Sequence, residues 1–426
     1  MFHTNAGDPT KGFVFLCFFI FAVSFLGLGH LAGDISPQTI LRSVPSRIRS
    51  QVYALAEQSV AASPSLYLAN PVAIPDEFIG WFEVPNSRLR DVCPPNTTGY
   101  EFSGACGSVM SAWNSAIADT KRNRLVFWGG GHADYFGNEL YAFSLLDLTM
   151  TRLNDPSPIN TTSGCVETLS DGKPNSRHTY DALVYVAHAD RMFSFGGGLN
   201  ACGFFTDVTW TLDMETLKWT NMHPRGGNPH ASAGVVADYD ARTKKIYLND
   251  LSKIWSYDFD ANTYRVLNVD AAIDYHMTGV IDPKREMFFI MGAAGAKGGG
   301  LKAVSLAPGS KYTMNDWTAP ALSSCEPVLR AISPGLAYDP VADRIVGWPN
   351  FGDTVYLFNP DTKSCTTKTF IGGPPDSSHQ GSPHTTNGTN GRFRYFPAKG
   401  IFVLANQASS NVYLLRLTCG PSTVLH

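Results

Sequence analysis

Four histidines, set among tyrosine, arginine and carboxylate neighbours, are the residues of this 426-residue chain best suited to chemistry. They stand in Gly131-His132-Ala133-Asp134-Tyr135-Phe136-Gly137-Asn138, in Arg177-His178-Thr179-Tyr180, at His230, and in Tyr275-His276. Imidazole and phenol exchange protons near neutral pH once their surroundings tune them. A guanidinium grips a carboxylate through its planar fork. Together these groups meet the needs of β-elimination from a uronic-acid polysaccharide. One group neutralises the sugar carboxylate, a base removes the proton on the adjacent carbon, and an acid protonates the leaving oxygen.

Residues so far apart can share a site only if the fold gathers them, and the repeats provide the means. An apolar strand, a tight turn (Asp-containing in all but the last) and a second hydrophobic strand recur six times: at 115–128, 180–195, 233–248, 278–290, 335–348 and 392–404. Third strands follow at 140–143, 208–212, 254–257, 303–306, 355–358 and 412–417, and fourth strands show at 218–220 and 264–267. The spacing fits the blades of a β-propeller. The expected fold is therefore all-β, a six-bladed propeller. A seventh blade stays open as an alternative, with 154–175 or 307–331 as its place. The last repeat ends near Cys419 without a fourth strand, and the isolated Trp81-Phe82-Glu83-Val84 can supply it, closing the ring from the N-terminal side.

In a four-stranded blade the loop entering the first strand and the loop between the second and third strands share one face. That face would carry His132, Asp134, Tyr135, Asn138, Asn200 and Asn350 from the later loops. From the strand entrances it would carry Arg177, His178, Tyr180, His230, Tyr275, His276, Arg392 and Arg394. Each has a structural alternative: a histidine bonded to backbone, an Asp or Asn capping a turn, a tyrosine packed as an aromatic. His188 falls on the opposite face and is given no role. His379 and His384 lie in a Ser/Gly/Pro-rich loop.

The glycine clusters Gly129-Gly130-Gly131 and Gly196-Gly197-Gly198, with the aromatic strands and Trp219 that follow, resemble the kelch repeat. The Gly-Gly-Gly-His-Ala-Asp-Tyr turn and the Arg-His-Thr-Tyr entrance resemble those of exported propeller polysaccharide lyases of the ulvan lyase kind. That resemblance implies His132 and Tyr180 as the acid–base pair, with His178 and Arg177 assisting on the carboxylate, and the remaining residues of the face as substrate contacts. Two other readings stay open. Tyr275-His276 is similar to the adjacent copper ligands of galactose oxidase, although that family's additional C-terminal domain has no counterpart here. A non-catalytic kelch propeller would bind glycan or protein with the same face. The sequence names no cofactor and proposes no metal ligands.

Composition sets the remaining limits. The chain is 44% hydrophobic and 16% charged, with a formal net charge of -3 and no basic run, which argues against nucleic acid as a partner. Phe13 to Leu28 is almost wholly apolar and reads as a signal peptide or a single membrane anchor within 1–33. A linker over 34–76, with a short helix at 41–56, and a propeller over 77–426 complete the expected organisation. Export would suit the cysteines. No C-x-x-C pair points to a zinc site, and proximity suggests Cys93–Cys106, Cys165–Cys202 and Cys325–Cys365 as disulfides, leaving Cys419. Asn96, Asn160 and Asn387 head glycosylation sequons. The expected partner is an acidic polysaccharide or another glycan.

Overall fold

The computed structural model describes Ile74, residues 78–158 and residues 165–418. The apolar run, the expected helix at 41–56, Asn160 and Cys419 lie outside these residues.

Six four-stranded antiparallel sheets follow one another along the chain. Blade 1 is Ala116–Asp119, Arg124–Phe127, Tyr141–Ser144 and Met150–Arg152. Blade 2 is Leu183–Val186, Arg191–Phe195, Thr209–Asp213 and Trp219–Asn221. Blade 3 is Val236–Asp240, Lys245–Asn249, Ile254–Asp258 and Thr263–Asn268. Blade 4 is Thr278–Asp282, Met287–Gly292, Gly300–Ser305 and Met314–Asp316. Blade 5 is Gly335–Asp339, Arg344–Trp348, Thr354–Asn359 and Ser364–Thr369. Blade 6 is Phe393–Phe396, Ile401–Leu404 and Val412–Arg416, completed by Gly80–Val84. That last strand is the expected closure: Phe82 pairs with Leu414 and Val84 with Val412, antiparallel.

The ring closes because each pair of neighbouring blades has its own apolar core. Ile117, Val126 and Trp128 of blade 1 pack on Leu183, Met192 and Leu212 of blade 2. Equivalent clusters join each later pair, and Val403 and Leu414 of blade 6 meet Leu125 and Phe127 of blade 1. First strands line the centre, where residues from all six surround a cavity of about 250 Å³.

Neither stretch held open for a seventh blade forms one. Residues 318–330 are an α-helix whose Ala321, Cys325, Val328 and Leu329 are buried against blades 4 and 5. The described part of 154–175 contains no strand among its described residues. The three disulfides form in the pairing that proximity suggested. No described helix is long and apolar enough to cross a membrane.

Candidate functional site

The site is assembled where the front of blade 1 meets the front of blade 2. After Phe127 the chain turns through three glycines, all at positive φ. Gly131 lies so close to the Arg177–His178 backbone that any Cβ there would overlap it, which explains why the turn excludes side chains. The Gly130 amide donates to the Arg177 carbonyl (3.1 Å) and the Gly131 amide to Ser176 Oγ (2.9 Å). Arg177–His178 itself pairs with Gly198–Leu199, a two-stranded ribbon that no repeat pattern announced. The His132 amide donates to Gly198 O (3.3 Å), and Ala201 N donates to the His132 carbonyl (2.7 Å). The His132 loop is thus tied to both strands of the ribbon.

These ties bring four expected site residues together. His178 is nearly buried, and its Nε2 lies 2.7 Å from Asp134 Oδ2. The exposed His132 ring stacks on it, centroids 5.4 Å apart and planes 16° apart. Trp113 flanks it at 5.1 Å, and Tyr180 meets it edge-on at 6.0 Å. Against a carboxylate, Nε2 carries the proton, so Nδ1 of neutral His178 keeps a free lone pair. Burial holds the His178 pKa below the usual imidazole value, Asp134 opposes this, and charge on His132 would push it lower still. His178 therefore resists taking up a proton. Burial, with Tyr275 and Asp134 nearby, pushes the Tyr180 phenol well above its ordinary value, so it stays protonated at neutral pH and keeps a proton to donate. Neither the Tyr180 hydroxyl nor the His132 ring nitrogens have a hydrogen-bond partner among the described residues.

The other expected residues divide in two. Tyr275 and His276 sit at the entrance of blade 4 with rings 3.6 Å apart, Tyr275 exposed and His276 held near Asp274. His276 is shifted down by burial. His230 is exposed at the entrance of blade 3, and its amide donates to Asp250 Oδ2 (2.9 Å). All four histidines therefore occupy the front, but only His132 and His178 touch.

The second group belongs to the scaffold, which corrects the expectation that it faces a substrate. Arg177 is fully buried. It donates to Glu167 (2.7 Å) and the Asn175 carbonyl (3.1 Å) and lies over Trp128, so its fork is already occupied. Arg392, also fully buried, donates to Asn406 Oδ1 and to the carbonyls of Asn114 and Gly388; burial brings its pKa down to about 9. Arg394 lines the central cavity, donating to Ala116 O (3.1 Å) near Asp181 (3.5 Å). Tyr135 is buried and donates to Glu139, as does Tyr141 (2.5 Å). Asn138 bonds Ser157 and Pro174, Asn350 bonds Thr385 and Asn406, and Asn200, just after the ribbon, is buried with its Oδ1 unpartnered among the described residues. Desolvated polar groups need such partners, and Arg177, Arg392, Tyr135, Asn138 and Asn350 find theirs within the protein.

Sequence reading missed Trp113 and Phe205, which lies 6.5 Å from Tyr180. Trp113 had a signal: it precedes its first strand by three residues, as Tyr180 does. The copper reading loses a part, since Cys202 is bonded to Cys165 and cannot crosslink a tyrosine. No protein-family description and no curated protein sequence matches the chain. Among solved structures it is similar in shape to a structural-genomics protein of unknown function from Bacteroides thetaiotaomicron VPI-5482, at 10% identity and a TM-score of 0.47, covering 78% of this chain and 74% of that one.

Proposed function

We propose that the front of this kelch-like propeller is the active centre of an exported enzyme that cleaves a uronic-acid polysaccharide by β-elimination. The observation behind this reading is the His132–His178 stack, fixed by Asp134 and bordered by a Tyr180 hydroxyl with no hydrogen-bond partner among the described residues. His132, the exposed ring, takes the proton from the carbon beside the sugar carboxylate. The released electron pair forms the carbon–carbon double bond as the glycosidic carbon–oxygen bond breaks. Tyr180 gives its proton to the departing oxygen. His178 stays neutral and holds His132 in place.

With Arg177 and Arg392 committed elsewhere, the substrate carboxylate needs another cation. Lys297, in the loop between the second and third strands of blade 4, and Arg330, which donates to the Ala294 carbonyl of that loop, are both exposed, and Arg330 is paired with Glu326. Export accords with three disulfides, which persist in oxidising compartments. The test is ultraviolet absorbance of the conjugated product during incubation with a panel of uronic-acid polysaccharides, with His132→Ala and Tyr180→Phe as controls. Signal from the natural chain that both variants abolish supports the reading. No signal on any of the panel rejects it.

A second reading, a glycan-binding module, draws on one feature. Phe204, Phe205, Tyr275 and Phe351 are 72%, 41%, 40% and 43% exposed on the same face, and such rings stack on sugars. Binding that survives His132→Ala and Tyr180→Phe, without turnover, would favour it.

A further inference from the structure

The Cys165–Cys202 disulfide lies beside the stacked histidines, and its position suggests a control. Cys202 belongs to the loop that joins the Gly198–Leu199 strand to Phe205. Ala201, one residue earlier, donates its amide to the His132 carbonyl. Gly203, one residue later, sits at φ +72°, and its amide donates to Leu199 O (3.0 Å). Its Cα is against the His132 imidazole, so that a methyl group there would overlap Nε2, Cδ2 and Cε1 of the ring. The residues on both sides of Cys202 therefore grip His132, one by its backbone and one by its ring. The disulfide ties this grip to the segment before blade 2 that carries Glu167, the partner of Arg177.

We propose that the Cys165–Cys202 disulfide positions His132, and that its reduction releases the ring and switches the site off. The geometry stands without any assigned reaction; only the consequence for turnover rests on the proposed function. The step is a two-electron reduction by a dithiol. The sulfur–sulfur bond breaks, Cys165 and Cys202 each take up a proton as thiols, and the dithiol closes to its own disulfide. Access favours this bridge over the other two. Cys165 is exposed, whereas Cys106 and Cys325 are buried, at 0% and 2% exposure.

The test uses the full chain, its histidines labelled at Cε1, and follows their proton resonances before and after mild reduction. Cys165→Ser/Cys202→Ser and Gly203→Ala are measured alongside. Cys325→Ser/Cys365→Ser serves as a bridge control. The expected result is that reduction, the Cys165/Cys202 double variant and Gly203→Ala each move the His132 resonance towards that of exposed His379. The Cys325/Cys365 control should leave it in place. Turnover, on any substrate found, falls roughly tenfold or more with the ring misplaced. If the double variant does not fold, reduced natural protein and Gly203→Ala still decide. An unmoved His132 resonance in those two overturns the proposal, whether or not the protein proves to be a lyase.

Discussion

At the scale of single residues, the behaviour of His178 follows from two opposed influences. Burial disfavours its charged form and Asp134 favours it, with burial the larger. Asp134→Asn removes the favouring partner, so the His178 pKa falls further and its fixed tautomer is lost; a histidine titration by NMR checks both. The sign for stability follows from linkage. An imidazole whose pKa is depressed by folding binds protons more tightly in the unfolded chain, so stability is present above the ordinary value near 6.5 and is lost as pH falls below it. His276 and His384 are lowered by burial too, so all three act in one direction. The melting temperature should therefore drop between pH 7 and pH 5, and His178→Asn should flatten that slope; an equal slope in the variant would remove His178 from the account. Residue types were legible in the sequence at this scale, but burial was not. His132, Asp134, His178 and Tyr180 come together because their loops face each other across one blade junction. Arg177 has the same types of neighbours in sequence as His178, yet its side chain leaves the ribbon on the other side, into Glu167 and Trp128. Nothing in a linear pattern gives the partner of a side chain that crosses to another blade.

At the scale of elements, the back of the ring is more regular than the front. In every blade the residue just before the second strand is at positive φ: Asn123, Asp190, Lys244, Glu286, Asp343 and Gly400. The tight turn dictates that angle, and at Asp190, Glu286 and Asp343 the side chain meets an arginine of the preceding blade. Three junctions use it in the same way. Arg122 joins Asp119 of its own blade to Asp190 of the next, Arg242 joins Asp240 to Glu286, and Arg285 joins Asp282 to Asp343. His188 takes the place at the junction of blades 2 and 3, bonding Tyr239 and Asp260. The Asp-containing turns were plain in the sequence, whereas the clamps were not, because each depends on which blade follows. Arg285 is 16% exposed and bonds three carboxylates, of which Asp282 is fully buried. Arg285→Ala should therefore cost about 2–3 kcal/mol, below the full value for a wholly buried pair because two of its partners are partly solvated. Lys121→Ala, which removes a 57% exposed partner of Asp190, should change stability by less than about 0.5 kcal/mol. Denaturant midpoints for the two variants measure the contrast, and similar losses would show that burial does not set the value of the clamp.

At the scale of the whole molecule, the ring depends on one strand that begins the described chain and completes its last blade. Six junction cores, each shared by two blades, leave no blade with an independent core to retain when its neighbour opens. The closing strand was legible because Trp81 to Val84 reads as a strand with no repeat to join and the sixth repeat lacked one. The helix Thr318–Arg330 was not legible, since Pro320 and Pro327 disguise it and its apolar face is matched to two blades at once. Trp81 tests the closure. It is 8% exposed, its indole donates to the Asp353 carbonyl of blade 5 (2.9 Å), and it packs edge-on against Tyr413. It thus joins blade 6 to blade 5 as well as to its own sheet. Trp81→Ala should cost about 3–5 kcal/mol, the usual range for a large buried aromatic. Because all blades share cores in a ring, the loss should move one cooperative transition to lower temperature as a unit. Calorimetry with the ratio of calorimetric to van't Hoff enthalpy distinguishes the outcomes. An early separate transition for blade 6, with the remainder melting where the natural protein does, would mean that the blades are held individually and that closure contributes little.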